Sequence, residues 1–148
     1  MATIAIASDH AGVALKAELV DELKKLGHSP LDLGPSDTAS VDYPDFAAKA
    51  CAEVTAGRAA LGVLICGTGI GMSITANKVH GIRAALCHTE FEARVTRLHN
   101  DANVLCLGSR VIGGALATEI MKVFLAGSFE GGRHAKRVEK ITQLEAKR

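Results

Sequence analysis

A chain of 148 residues is the size of one ordinary domain and long enough to bury a substantial core. Its hydrophobic fraction, 48%, is almost all Ala, Val, Ile and Leu, with only 3% aromatic residues, no Trp and a single tyrosine, Tyr43. A formal net charge of +1 supplies no basic field, and so few rings supply no stacking platform, which argues against nucleic acid and gives no electrostatic reason to sit on a membrane.

The elements alternate along the chain. Thr3–Ser8 reads as a short apolar strand with no charged segment and long apolar stretch of a secretion signal before it, so the expected location is the cytoplasm. Residues 13–26 place Leu15, Leu19, Leu23 and Leu26 on one helical face, and Gly27 stops that helix. A second strand over 29–33 runs into the polar loop Gly34-Pro35-Ser36-Asp37. Pro44 suits the first position of a helix over 45–56, which Gly57 ends. Leu61–Cys66 is the third strand, with a helix after Gly71 over 72–78. Strands over 82–87 and 103–107 flank a helix over 90–98. Gly113-Gly114 precedes a helix through Ala126, and a charged helix spans 134–147.

Five strands alternating with helices predict a three-layer, Rossmann-like α/β single domain spanning 1–148, with a five-stranded parallel sheet and helices on both faces. Ligands in such sheets bind beyond the carboxyl ends of the strands. That rule groups Asp9-His10 after the first strand, the 66–71 segment after the third, and Ser109-Arg110 after the fifth.

The richest of these segments is Cys66-Gly67-Thr68-Gly69-Ile70-Gly71. A strand, a glycine turn and a helix start put a thiol beside backbone N–H groups that suit an anion. Glycines there admit a ligand close to the chain. The pattern lacks GxGxxG order and follows the third strand, so it does not predict a dinucleotide site. By itself Cys66 reads as a nucleophile, a general base or a buried bystander, and Thr68 as a proton donor and acceptor or a local turn bond. Cys51, Cys87 and Cys106 read as small buried hydrophobes; the four cysteines form no CxxC pair, match no zinc spacing and are not expected to pair in a reducing compartment.

Three further groups carry chemistry. His99-Asn100-Asp101, just after a predicted helix, offers an acid–base imidazole beside an amide, or simply a polar helix end. Gly131-Gly132-Arg133-His134 begins a segment in which Arg133 and Arg137 share a helix face suited to phosphate, with Arg110 able to join; the bland alternative is a solvated basic helix end. Asp9 is either a helix cap or a ligand for sugar hydroxyls, with His10 beside it, and no carboxylate or cysteine cluster there suggests a metal.

Together these segments resemble the B-type ribose-5-phosphate isomerases and their relatives, the galactose-6-phosphate and allose-6-phosphate isomerases. The resemblance rests on SDHAG (8–12), DYP (42–44), CGTGIGMSITANK (66–78), GIRAA (81–85), RLHNDANVLCLGSR (97–110) and EGGRHAKRV (130–138), in family order over nearly the whole chain. It implies a metal-free, cofactor-free aldose–ketose isomerisation of a sugar phosphate, ribose 5-phosphate to ribulose 5-phosphate, through a cis-enediolate. Cys66 would take the proton from C2, and Thr68 would help move it between O1 and O2. The amides of Gly67, Gly69, Ile70 and Gly71 would hold the enediolate. His99 would open the furanose ring, with Asp9 positioning ring oxygen or hydroxyls. His10, Arg133 and Arg137 resemble phosphate contacts; Tyr43, Asn100 and Arg110 resemble sugar-side contacts. The resemblance also implies a homodimer, or a dimer of dimers, with each site built from two subunits and the C-terminal helix touching its neighbour. Competing expectations are a six-carbon sugar phosphate as substrate, a non-catalytic phosphosugar-binding module, and covalent catalysis by the thiol.

Overall fold

The computed structural model describes residues 1–147. Strands β1 (Thr3–Ser8), β2 (Ser29–Asp32), β3 (Leu61–Cys66), β4 (Ala84–Leu86) and β5 (Val104–Gly108) form one sheet in the order β2-β1-β3-β5-β4. Every pairing is parallel. Helices α1 (Val13–Lys25), α2 (Tyr43–Thr55), α3 (Ile70–Ala76), α4 (Glu90–Asn100), α5 (Gly114–Ala126) and α6 (Arg133–Glu145) alternate with them, and a short 3-10 turn, His10–Gly12, precedes α1.

Strand side chains alternate between two cores, the period-2 consequence of the pleat. Ile4, Ile6, Val63, Ile65, Leu105 and Leu107 face α1, α4 and α5, where Leu19, Ala93, Ile120 and Phe124 close on them. Ala5, Ala7, Leu64, Cys66 and Cys106 face α2 and α3, against Ala47, Cys51, Met72 and Ala76. The second face is built from smaller side chains, which lets α2 and α3 approach closely. The predicted three-layer α/β architecture is what forms. Among the described residues no helix is long and apolar enough to cross a membrane.

Element ends move by a few residues, for local reasons. α2 begins at Tyr43, before Pro44, with Asp42 at its cap. α3 begins at Ile70 because Gly69, at φ 77, turns the chain before Gly71. β4 is three residues long, since Arg83 already spends its N–H on the Asn103 side chain. α4 continues past the predicted end at 98, so His99 and Asn100 form its last turn and do not follow it; Asp101, at φ 48, is the residue that leaves the helix.

Because all strands are parallel, their carboxyl ends share one edge of the sheet, and each of α1 to α5 carries the chain back to the other. The register sets Ser8 beside Ile65 and Cys66 beside Gly108, so the three central strands finish level. α4 leaves β4 at the carboxyl edge and ends at the amino edge, where β5 starts. α6 packs on α4 and leaves Ile141 and Leu144 exposed.

Candidate active site

Cys66 ends β3 with its side chain in the α2/α3 core and 5% of its surface exposed. The Gly69 N–H donates to its Sγ at 3.1 Å, and the Ile70 N–H donates to Thr68 Oγ1 at 3.2 Å. Two amides of the glycine turn are therefore turned onto the thiol and hydroxyl that precede them. Only glycine fits at position 69: φ is +77, and a Cβ there would lie 2.6 Å from Leu86 Cδ1 and 2.9 Å from the Leu107 carbonyl carbon.

The neighbouring loops lock this turn in place. Ser109 N–H donates to the Cys66 carbonyl and Arg110 N–H to the Gly67 carbonyl, both at 2.9 Å. Gly108 must lack a side chain because a Cβ would sit 2.6 Å from the Thr68 carbonyl oxygen. Ser109 Oγ donates to the Ala11 carbonyl at 2.8 Å, tying in the first loop. Asp9 donates its N–H to the Ile65 carbonyl at 3.0 Å, and its Oδ1 accepts from Ala11 N–H at 2.9 Å. The cap role expected of Asp9 is thus real, and its carboxylate is largely buried beside the turn. His10 Nδ1 accepts from Val41 N–H at 3.2 Å, which leaves the ring proton on Nε2. The Tyr43 ring packs on Gly71, where an added Cβ would come within 2.6 Å of it, and the Arg110 side chain runs along Gly67.

One edge therefore gathers Asp9, His10, Tyr43, Cys66, Gly67, Thr68, Gly69, Ile70, Gly71 and Arg110. His99, Asn100, Arg133 and Arg137 are elsewhere. They lie on the last turn of α4 and the first turns of α6, at the amino edge. Five residues of β5, at about 3.3 Å each, separate the two edges by roughly 16 Å. A single chain does not bring His99 to Cys66.

At the amino edge the His99 ring stacks on that of His134, with centroids 4.2 Å apart and planes 13° apart. His134 is buried and stands beside Glu130, its Nε2 3.4 Å from Glu130 Oε2. Burial, then His99 and Arg133, hold the His134 imidazole below its ordinary pKa; Glu130 opposes them. His134 lies inside the 130–138 motif without a role of its own there, because no local spacing reveals a ring contact between two different helices. His99, Glu130 and His134 also bring ligand atoms within 4.8 Å of one another. Nearly parallel rings point their in-plane lone pairs side by side, so the arrangement does not fit a shared metal ion.

The remaining thiols stay in the core as expected. Burial pushes Cys51 up to about 11 and, with Glu92 nearby, Cys87 up to about 12, while wholly buried Cys106 is raised further.

The profile of the Ribose/Galactose Isomerase family matches residues 4–141. The ribose-5-phosphate isomerase B of Escherichia coli is 45% identical over 148 residues, covering 100% of this chain and 99% of that one. The solved structure of Clostridium thermocellum ribose-5-phosphate isomerase B superimposes with a TM-score of 0.97 at 52% identity, over 98% of each chain. The type B ribose 5-phosphate isomerase of Trypanosoma brucei gives 0.93 at 45% identity, over 96% of this chain and 97% of that one. Profile, full-length identity and backbone agree, and the chain belongs to the Ribose/Galactose Isomerase family.

Proposed function

We propose that this chain is an aldose–ketose isomerase interconverting ribose 5-phosphate and ribulose 5-phosphate, with Cys66 as the base and no metal or cofactor. The observation that carries the reading is the sulfur at the carboxyl end of β3, pinned by the Gly69 N–H at 3.1 Å inside a turn whose positions 69 and 71 leave no room for a side chain. Full-length similarity to ribose-5-phosphate isomerases B supports the substrate.

The chemistry divides between groups. In the furanose, His99 takes the proton from O1, the C1–O4 bond breaks, and O4 is protonated as the aldehyde opens. Cys66, as thiolate, then removes the proton from C2 and leaves a cis-enediolate. Thr68 passes a proton from O2 to O1. The thiol returns its proton to C1, giving the ketose. The developing charge is assigned to the amides of the 67–71 turn, where a preset dipole is worth most, with Gly69 and Ile70 exchanging their bonds to the Cys66 sulfur and the Thr68 hydroxyl for it. Asp9 and Tyr43 engage sugar hydroxyls together with Asn100 and Arg110. His10, Arg133 and Arg137 grip the phosphate, the two guanidinium groups suiting its oxygens.

Because the two groups of residues lie at opposite edges, the working site is assigned to a homodimer: one copy presents Cys66, and the other presents His99, Asn100, Arg133 and Arg137. A two-fold axis makes two such sites at once. Exposed apolar side chains at or near the Cys66 edge, Ile70, Ile74, Val111 and Phe91 (67% exposed), suit burial by that second copy. Four unpaired cysteines fit a reducing compartment, so the chain is assigned to the cytoplasm.

The test is a coupled assay on ribose 5-phosphate with excess chelator. Turnover persists under chelation and falls about 10³-fold in Cys66→Ala, the scale of a lost general base. Undiminished turnover in that variant removes Cys66 from the mechanism.

A further inference from the structure

The last turn of α4 holds a half-buried histidine, His99, with one face of its ring covered. The cover is His134, 6% exposed, lying 4.2 Å away and within 13° of parallel. Its own position is over-determined. Glu130 N–H donates to the carbonyl of Leu98, the residue before His99, at 3.1 Å. Arg97 Nη2 donates to the Gly127 carbonyl at 3.0 Å, and His134 N–H donates to Gly131 at 3.0 Å. The start of α6 is thereby bolted to the end of α4, and His134 cannot move without moving that joint.

A histidine on an exposed helix end turns freely about χ2, and proton transfer to a ring oxygen fails when the nitrogen is misdirected. A face-on neighbour restricts the ring to one plane. An uncharged neighbour matters as well. When His99 carries a proton between O1 and O4 it becomes a cation, and a second cation against its face would oppose this. Burial favours the neutral form of His134, as do the nearby cations Arg133 and Arg137, with Glu130 as the one opposing anion. A neutral imidazole accepts a cation on its π face.

We infer that His134 is a positioning residue for ring opening, holding the His99 imidazole in the plane from which it exchanges protons with the furanose. The inference rests on the assignment of ring opening to His99. It predicts a directional defect. Ribose 5-phosphate enters as a closed furanose. Ribulose 5-phosphate has its C5 oxygen esterified, cannot close that ring, and enters open. Where ring closure on the enzyme is impaired, the aldehyde formed from it leaves the enzyme open and closes in water.

The experiment measures initial rates in both directions for wild type, His134→Ala, His134→Phe and His99→Asn, each checked by thermal unfolding. His134→Ala is expected to lose about 10- to 100-fold in forward kcat, the cost of a misplaced catalytic group, and less than about threefold in reverse kcat, with the reverse KM rising to keep the overall equilibrium unchanged. His134→Phe keeps a flat, neutral ring and should recover most of the forward rate; it also serves if the alanine variant fails to fold. Equal losses in both directions, a rise in KM alone, or no loss would overturn the positioning role. His99→Asn separates the two layers of the argument. A forward-selective loss there with none in either His134 variant sinks the inference alone. No directional loss in His99→Asn sinks the ring-opening assignment and the inference with it.

Discussion

Cys51, Cys87 and Cys106 are thiols without access to water, and burial raises all three pKa values, to about 11 and about 12 for the first two. Raising an acid's pKa depletes its anion at neutral pH, so these sulfurs are poor nucleophiles while the chain is folded. Iodoacetamide at pH 7.5 should leave all three unmodified in the native protein and label them after denaturation; peptide mass spectrometry reads the difference. Cys66 differs from them in context, since it sits where a strand stops and a glycine turn begins. That juxtaposition is local and was legible in the sequence, down to the thiol, the hydroxyl of Thr68 and the need for glycines. The direction of the amides was not, because it depends on Leu86 and Leu107 pressing on Gly69 from other strands. Gly69→Ala adds a methyl group against backbone and forces an unfavourable φ, so it should cost about 2–3 kcal/mol in urea unfolding.

α4 gives the same lesson at the level of an element. Its start is written in four residues: Thr89 Oγ1 accepts from Glu92 N–H at 3.1 Å, and Glu92 Oε2 accepts from Thr89 N–H at 3.0 Å, a capping box. Thr89→Ala should lower stability by about 1 kcal/mol, seen as a shift in urea midpoint at unchanged slope. Its end was less legible. The Arg83 guanidinium binds the carbonyls of Asn100 and Asp101 from a distant loop and carries the helix through His99. The edge strand β4 is managed similarly. The Asn77 side chain donates to the Ala84 carbonyl at 2.9 Å and accepts its N–H at 2.8 Å, closing part of an open strand edge with a side-chain amide. A three-residue strand secured in this way carries little hydrophobic pattern, which explains why its predicted span was too long.

For the molecule as a whole, the governing fact is that the candidate residues lie at two opposite edges of the sheet. If the site is shared between copies, two inactive variants repair one another. Cys66→Ala and His99→Asn, unfolded together and refolded at equal amounts, form mixed dimers in which one of the two sites has both groups intact. Half the dimers are mixed, so about a quarter of wild-type activity should return. No recovery, with mixed dimers present by native mass spectrometry, would place the complete site within one chain.

The amino-acid sequence alone determined the alternation of strands and helices, the two-faced burial of the sheet, and the cysteine–glycine turn. Each is encoded in periodicity, caps and backbone freedom over a few adjacent residues. Only the tertiary structure decided the strand order, the edge on which each candidate residue lies, and the ring stack of His99 on His134. Those depend on how helices far apart in the chain pack across the sheet, and no spacing along the sequence measures that.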